Sequence, residues 1–292
     1  MKKHHNSLVY IAAAVVLTIL SCSKEGEYAL TETAPLDFKT YYSGLTVSFV
    51  NLAENATDIA WDFGDDTPEV SGDSVVHTYA EIGNYVISMN GTVDGQQYTF
   101  HTILRVDKAS VVSLTDDSFD DWNDVTYPDF QLEGIDHVTG GKVDYDANYV
   151  YIYLEYDTIG TNGLASLEGG IMDLYMDVDN AASTGFSSAV GAEVLFEGNI
   201  PTGWLDFYNF TGAAQSEWSW EYFTMDNAMI MGYSEESLNT VKMEFAISRE
   251  AFDISSDAFA FKLVINYSDW SGEAGSLAID HETRIVMRMD KQ

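Results

Sequence analysis

The sequence predicts an all-β protein built from two antiparallel β-sandwiches, the second larger than the first. Three observations carry this. Short strand-like runs alternate with Gly, Asn and Asp turn signals along most of the chain, and no sustained helical period interrupts them. Apolar residues make up 46% of the 292 residues, with 6 Trp, 18 Tyr and 15 Phe, which is too much core material for a disordered acidic chain. Only four prolines occur, so long proline-rich linkers are excluded.

The charge narrows the function classes. Against 13 Lys+Arg stand 47 Asp+Glu, a net charge of −34. The charge argues against nucleic acid as a partner, because phosphate backbones need cationic side chains to release their counterions. It argues against electrostatic docking on anionic lipid for the same reason.

The N-terminus reads as a targeting segment. Lys2 and Lys3 form a positive n-region, and Leu8 to Leu20 is mostly apolar. A membrane-spanning helix needs about 20 apolar residues, so this stretch fits a signal-peptide h-region instead. It ends in Ile19-Leu20-Ser21-Cys22, which holds the only cysteine of the chain. A single cysteine forms no internal disulfide. The arrangement resembles the lipobox of bacterial lipoproteins, in which the cysteine is lipidated and becomes the first residue. Ser23-Lys24-Glu25-Gly26-Glu27 follows, and resembles the surface-export signal of outer-membrane lipoproteins in polysaccharide-feeding Gram-negative bacteria. The resemblance implies a signal peptide over 1–21, lipidation at Cys22, a surface tether over 22–35, and an outer-membrane location facing outside the cell. The lipid anchor is then the only contact with the membrane, and several acyl chains hold where one would not.

The first sandwich is expected over 36–107. Thr46 to Val50 alternates as a half-buried strand, as does Ile59 to Phe63, which Gly64-Asp65-Asp66 ends. Tyr85 to Met89 and Tyr98 to Leu104 pair across Val93-Asp94-Gly95, since Asp-Gly between strand-like runs is a hairpin signal. Trp61 and Phe63 fall on one face and fill the core. Asp62 and Asp65 bind turn N–H groups through their side chains. Trp61-Asp62-Phe63-Gly64-Asp65, His77-Thr78-Tyr79 and Gly83-Asn84-Tyr85-Val86-Ile87 come in the order of a polycystic-kidney-disease-type (PKD) domain, an Ig-like sandwich that this stretch resembles. The resemblance implies a spacer, with His77 and Tyr79 structural rather than catalytic.

Asp107 to Ser110 is a short junction without glycine or proline, so the two sandwiches are expected to be rigidly placed. The second runs over 111–292. Val143 to Tyr145 and Tyr149 to Tyr156 form a hairpin around Asp146-Ala147-Asn148. Further strands are expected at Ile171 to Val178, Ala192 to Phe196, Trp204 to Phe210, Glu217 to Phe223, Val241 to Ile247, Phe259 to Asn266 and Arg284 to Met289. Ser248 to Phe252 opens like an N-capped helical turn. Phe119-Asp120-Asp121-Trp122, the Val143-to-Leu154 hairpin, Asp177-Val178-Asp179-Asn180 with Ser183-Thr184-Gly185, and Phe245 to Arg249 resemble, in this order, family 9 carbohydrate-binding modules and their relatives. The aromatic-rich insert from Trp204 to Tyr222 departs from that pattern, so binding details do not carry over.

Candidate site residues fall into three groups. Trp218, Trp220 and Tyr222 share one face of a strand, as do Trp204, Asp206 and Tyr208, while Trp270 sits in a Ser/Asp/Gly loop. Aromatic faces complement the C–H groups of sugar rings, and neighbouring carboxylates accept hydroxyl hydrogens. Trp204, Asp206, Trp218, Trp220 and Trp270 are therefore the carbohydrate-binding candidates, and the bland alternative for each tryptophan is the core. Asp173, Tyr175, Asp177 and Asp179 alternate on one face, followed by Asn180, Ser183 and Thr184. Clustered oxygens suit Ca²⁺, a hard cation. The resemblance implies a structural calcium nearby, and Asp177 and Asp179 are its expected ligands. Catalysis finds no motif: Gly-x-Ser-x-Gly, His-Glu-x-x-His, phosphate loop and CxxC are all absent.

The expected function is a non-catalytic surface lipoprotein that binds a polysaccharide or oligosaccharide, with the PKD-like domain as spacer and a glycan uptake complex as neighbour. An adhesion or scaffold lipoprotein contacting protein is the alternative, and a glycoside hydrolase the third.

Overall fold

A computed structural model describes residues 35–126, 130–157, 170–187, 189–237, 239–254 and 257–289. The expected signal peptide, tether and Cys22 lie outside the described residues. Among the described residues no helix is long and apolar enough to cross a membrane.

The first sandwich contains β1 (Phe38–Ser43), β2 (Thr46–Asn51), β3 (Thr57–Asp62), β4 (Val70–Ser71), β5 (Ser74–Thr78), β6 (Gly83–Val93) and β7 (Gln96–Val106). Its sheets run β1-β2-β5 and β4-β3-β6-β7. Val47, Phe49, Trp61, Phe63, Ile87 and Met89 meet between them, fully buried. The β6–β7 hairpin closes with Val93 opposite Gln96, and Asp94 and Gly95 both take positive φ (51° and 79°), as a two-residue primed turn requires. Asp62 Oδ1 accepts from Gly64 N at 2.9 Å, and Gly64 sits at φ 72°, where a Cβ would meet Val86 O at 2.5 Å. His77 stacks on Phe63 with centroids 4.1 Å apart and pairs with Asp65 at 2.7 Å, and Tyr79 donates to Phe63 O at 3.3 Å. Both residues serve packing, in line with the sequence reading.

The second sandwich has more strands than the sequence suggests. Its four-stranded sheet, in the order β15-β16-β10-β9, uses β9 (Val138–Tyr145), β10 (Tyr149–Asp157), β15 (Met229–Ser237) and β16 (Thr240–Ser248). The other sheet contains β8 (Glu133–Asp136), β11 (Gly170–Asp177), β12 (Val194–Asn199), β13 (Trp204–Phe210), β14 (Trp220–Phe223), β17 (Ala258–Tyr267), β18 (Glu273–Ala278) and β19 (Ile285–Arg288). Its order is β14-β13-β12-β11-β17-β18-β8, and β19 also pairs with β17. Side chains such as Ile152, Leu174, Phe196, Phe245 and Phe261 fill the space between the sheets. The outer face of the four-stranded sheet has a cover of its own. The segment from Val112 to Val125, with a 3₁₀ turn at Asp120–Asn123, lays Trp122 against Tyr151 and Ala246. Trp122 is 2% exposed, and its Nε1 donates to Glu244 Oε2 at 2.6 Å.

One expected element differs. The strand expected from Glu217 begins only at Trp220, so Trp218 lies in the loop before it. Residues 217–219 are held by a hairpin loop instead, with Glu217 Oε2 accepting from Ala213 N at 2.9 Å and Thr211 N donating to Ser219 O at 2.9 Å. The single capped turn expected at Ser248 is present, with Ser248 Oγ accepting from Ala251 N at 3.2 Å. Within it, Arg249 Nε donates to Ile254 O at 3.2 Å and its Nη1 to Asp107 Oδ2 at 2.6 Å.

Candidate functional site

The register of the larger sheet decides what its outward face presents. Asp173 of β11 lies opposite Glu197 of β12, which lies opposite Asp206 of β13. Two residues along, Tyr175 faces Leu195, Leu195 faces Tyr208, and Tyr208 faces Tyr222 of β14. Phe210 faces Trp220 beyond them, and Trp204 faces Asn199 at the other end. The intervening residues, Leu174, Phe196 and Phe207, point into the core. Aromatic and acidic side chains therefore form one outward band, spanning about 20 Å from Trp204 to Phe210 at strand rise.

The three carboxylates in cross-strand register repel one another. Burial pushes Glu197 up to about 7, and the charges of Asp173 and Asp206 add to it. Burial also pushes Asp173 up to about 6. Near neutral pH Glu197 thus offers a hydroxyl donor as well as an acceptor, which suits sugar hydroxyls that do both.

The tryptophans are not equivalent. A 3₁₀ turn, Ile200–Thr202, leads into Trp204 through Gly203 at φ 77°, and Asn199 caps it by accepting from Thr202 N at 3.1 Å. Trp204 is 37% exposed, and its Nε1 donates to Asp206 Oδ2 at 2.6 Å. Trp270 is 53% exposed in the β17–β18 turn, at φ 60°, with its N–H donating to Tyr267 O at 2.9 Å. Both lie toward the same end of the sheet, since Trp270 follows β17 beyond Asn266, and Asn266 pairs with Ile171, one residue before Met172, the partner of Gly198. Trp218, 63% exposed, stands at the opposite end and packs edge-on against Phe186 at 5.2 Å. Trp220 is half-buried among Phe186, Phe210 and Tyr175. Its Nε1 is buried without a hydrogen-bond partner among the described residues.

Phe186 links this band to the acidic loop. Asp177, Asp179 and Glu193 each bring a carboxylate oxygen within 4.8 Å of the others. Glu193 is an addition to the two residues expected from sequence; it lies far along the chain, where no local spacing marks it. Asp177 is fully buried and bound by Arg284 Nη2 at 2.7 Å and by Ala181 N at 2.9 Å. Thr184 Oγ1 donates to Glu193 Oε1 at 2.9 Å and to Asp179 Oδ2 at 3.1 Å. Burial raises both Asp177 and Glu193 despite these donors, and neighbouring carboxylates add to the rise. Three crowded carboxylates against one guanidinium fit a hard divalent cation, which takes oxygen ligands. The same loop braces the aromatic hairpin: Gln215 Nε2 donates to Ala182 O at 3.1 Å and to Thr184 O at 2.6 Å, and Ser187 N donates to Gln215 O at 2.8 Å.

Two further Asp-His pairs, Asp136-His137 and Asp280-His281, form no metal-binding group among the described residues. His137 pairs with Asp157 at 2.7 Å and His281 with Glu133 at 3.2 Å.

With the geometry in place, known proteins bear on the two halves unequally. The PKD domain family matches residues 38–102. Those residues are a PKD domain. Among solved structures, the PKD1 domain of Vibrio anguillarum Epp is 29% identical, covering 24% of this chain and 89% of that one, with a TM-score of 0.23. The PKD1 domain of the Vibrio cholerae metalloprotease PrtV is 24% identical, covering 25% and 95%, with a TM-score of 0.23. A structure of carbohydrate-binding modules from the β-sandwich superfamily, described as promiscuous in specificity, covers 87% of this chain and 97% of that one at 13% identity and a TM-score of 0.26. No curated protein matches the chain.

Proposed function

We propose that this chain is a lipid-anchored outer-membrane protein, displayed on the cell surface, that binds a polysaccharide or oligosaccharide without cleaving it. Cys22 carries the anchor, the PKD domain is the spacer, and the outward band of the larger sheet is the binding face. The observation that supports this best is the band itself. Trp204, Trp218 and Trp270 keep 37%, 63% and 53% of their surface exposed, and Trp204 lies next to the carboxylate row. Exposed tryptophans flanking a row of outward aromatics and carboxylates supply the flat apolar faces and hydroxyl acceptors that sugar rings need. The band is long enough for several sugar rings in a row, which favours internal stretches of a chain and a role in handing glycan to an uptake complex. A structural Ca²⁺ at Asp177, Asp179 and Glu193 would hold the loop that braces Phe186 and Trp218. Electrophoresis through gels containing β-glucan, mannan or xylan tests the reading: retardation is expected in one of them, and equal mobility in all of them overturns it.

The raised carboxylates favour one other reading. Glu197 at about 7 and Asp173 at about 6 have the protonation pattern of glycoside-hydrolase acids. Reducing-sugar release from the retarding polysaccharide, lost in Glu197→Gln, would replace binding by hydrolysis.

A further inference from the structure

We propose that the second sandwich holds a second saccharide site, on the sheet opposite the tryptophan band. It is a cleft of about 560 Å³ over the four-stranded sheet, within the size range of ligand pockets. The proposal borrows only its ligand class from the function proposed above; its residues are all different.

Register builds the floor. Glu155 of β10 lies opposite Lys242 of β16, and Lys242 lies opposite Glu235 of β15, so acceptor, donor and acceptor alternate across three strands. Gly140 of β9 extends the row beyond Glu155, and a Cβ there would meet nothing within 4 Å, so the floor stays open at that edge. Aromatics form the wall. Phe119, from the covering segment, meets Tyr153 at 5.3 Å and Tyr233 at 5.0 Å, and all three line the cleft. Trp122 behind them is buried and pinned to Glu244, which fixes Tyr153, 5.8 Å from it.

Lys242 points to a ligand. Its Nζ stands 3.8 Å from Glu155 Oε2, beyond hydrogen-bond reach, with its side chain 38% exposed. Among the described residues it makes no hydrogen bond, so its ammonium donors are available to a guest. Glu155 is held in place by Tyr153, whose hydroxyl donates to Oε2 at 2.9 Å. Charge selects the guest. Asp117, Asp120, Glu155 and Glu235 outnumber Lys142 and Lys242 around the cleft, which disfavours uronic acids and sulfated sugars. A neutral pyranose unit fits: its C–H face lies on the aromatics, and its hydroxyls donate to the carboxylates and accept from Lys242. Two sites on opposite faces of one domain would let a chain hold two strands of glycan, with avidity above either site alone.

Lysine acetylation read by mass spectrometry tests the cleft directly. Full-length protein is labelled with and without saturating cellohexaose, xylohexaose or mannohexaose. One of these is expected to slow labelling of Lys242 several-fold and leave the exposed Lys39 of the PKD domain unchanged. The protection should persist in Trp204→Ala/Trp218→Ala, and should weaken in Glu155→Gln and in Phe119→Ala. Unaltered Lys242 labelling with all three sugars overturns the cleft, as does protection that disappears with the two tryptophans. Loss of gel retardation in the tryptophan variant with Lys242 protection retained upholds both sites. Retained retardation with Lys242 protected would instead put the binding in the cleft and count against the tryptophan band.

Discussion

Arg249 of the second sandwich donates from Nη1 to Oδ2 of Asp107, 2.6 Å away, and both side chains are buried, at 4% and 0% exposure. Asp107 ends the first sandwich and takes Arg105 Nε on its other oxygen at 2.9 Å. Arg105 reaches across to Asp257 and, at 2.6 Å, to Met289 O. Lys108 and Ser110 both bind Asp144. The junction is therefore a charged joint between the two sandwiches.

This joint sets a first expectation. Asp107→Ala leaves two guanidinium groups without their shared carboxylate in a buried site, which costs about 3–5 kcal/mol. Arg249→Met should cost less, because Asp107 keeps Arg105. Urea unfolding followed by tryptophan fluorescence should show a lower midpoint for both variants, and lowest for Asp107→Ala. Equal midpoints for Asp107→Ala and the parent would show that the joint is not coupled to folding.

The joint also shows how far the sequence could be read. A short junction was legible, because Asp107 to Ser110 holds neither glycine nor proline. Its chemistry was not, since Asp107 and Arg249 are 142 positions apart and only the fold joins them. The same contrast holds across the second sandwich. β13 was legible to the residue because Trp204 to Phe210 alternates cleanly. β8, β15 and β18 were missed: Glu133–Asp136 is short, Met229–Ser237 carries a bulge between Met231 and Ser234, and Glu273–Ala278 is small-residue-rich and buried on both faces. At the candidate site, the tryptophans and Asp206 were visible as local pattern. Glu197 and Glu193 were not, because what distinguishes them is which strand or loop lies beside them.

The carboxylate row predicts a pH effect with a definite sign. Glu197 is raised in the folded chain from its ordinary 4.5 to about 7. The folded state then binds more protons than the unfolded state between those values, so the contribution of Glu197 is greatest below pH 4.5 and is lost as pH rises through 7. Glu197→Gln removes the titration. The melting temperature of the variant relative to the parent should rise between about pH 4.5 and 7 and level off above. A difference that stays flat over this window would mean the carboxylate is not held in a raised state.

Cation removal tests the acidic loop. A ligand that binds only the folded chain stabilises it by mass action. Chelation should lower the melting temperature in parent protein, and millimolar calcium should restore it. Glu193→Gln should lose the response. Because Gln215 ties the loop to the Trp218 hairpin, chelation should also shift the tryptophan fluorescence of the parent, and by less in Trp218→Phe. Identical melting curves with chelator and with calcium would remove the site.

The anchor is tested by fractionation. Cys22→Ser is expected to leave the protein unanchored, in the soluble fraction, whereas the parent sediments with membranes and is shaved from intact cells by protease. Sedimentation of the variant with membranes would rule out lipidation at this residue.

The tryptophans give the sharpest contrast. A stacked aromatic contributes on the order of 1–2 kcal/mol to sugar binding, by analogy with other aromatic stacking. Each 1.4 kcal/mol is about tenfold in affinity. Trp204→Ala, Trp218→Ala and Trp270→Ala should each weaken glycan binding about five- to thirtyfold and leave the melting temperature nearly unchanged, because these rings are already 37–63% exposed. Trp220→Ala should behave differently. Its ring is enclosed by Phe186, Phe210 and Tyr175, so its loss opens a cavity and the variant should melt markedly lower. Full core truncations cost about 3–5 kcal/mol, and a half-buried ring falls below that range. If Trp220→Ala alone weakens binding, by collapse of the hairpin, the tryptophans do not contact the glycan themselves and the band acts as scaffold. If the three exposed variants weaken binding at constant stability, the glycan contacts the outer face at both ends of the sheet, at Trp204 and Trp270 and at Trp218.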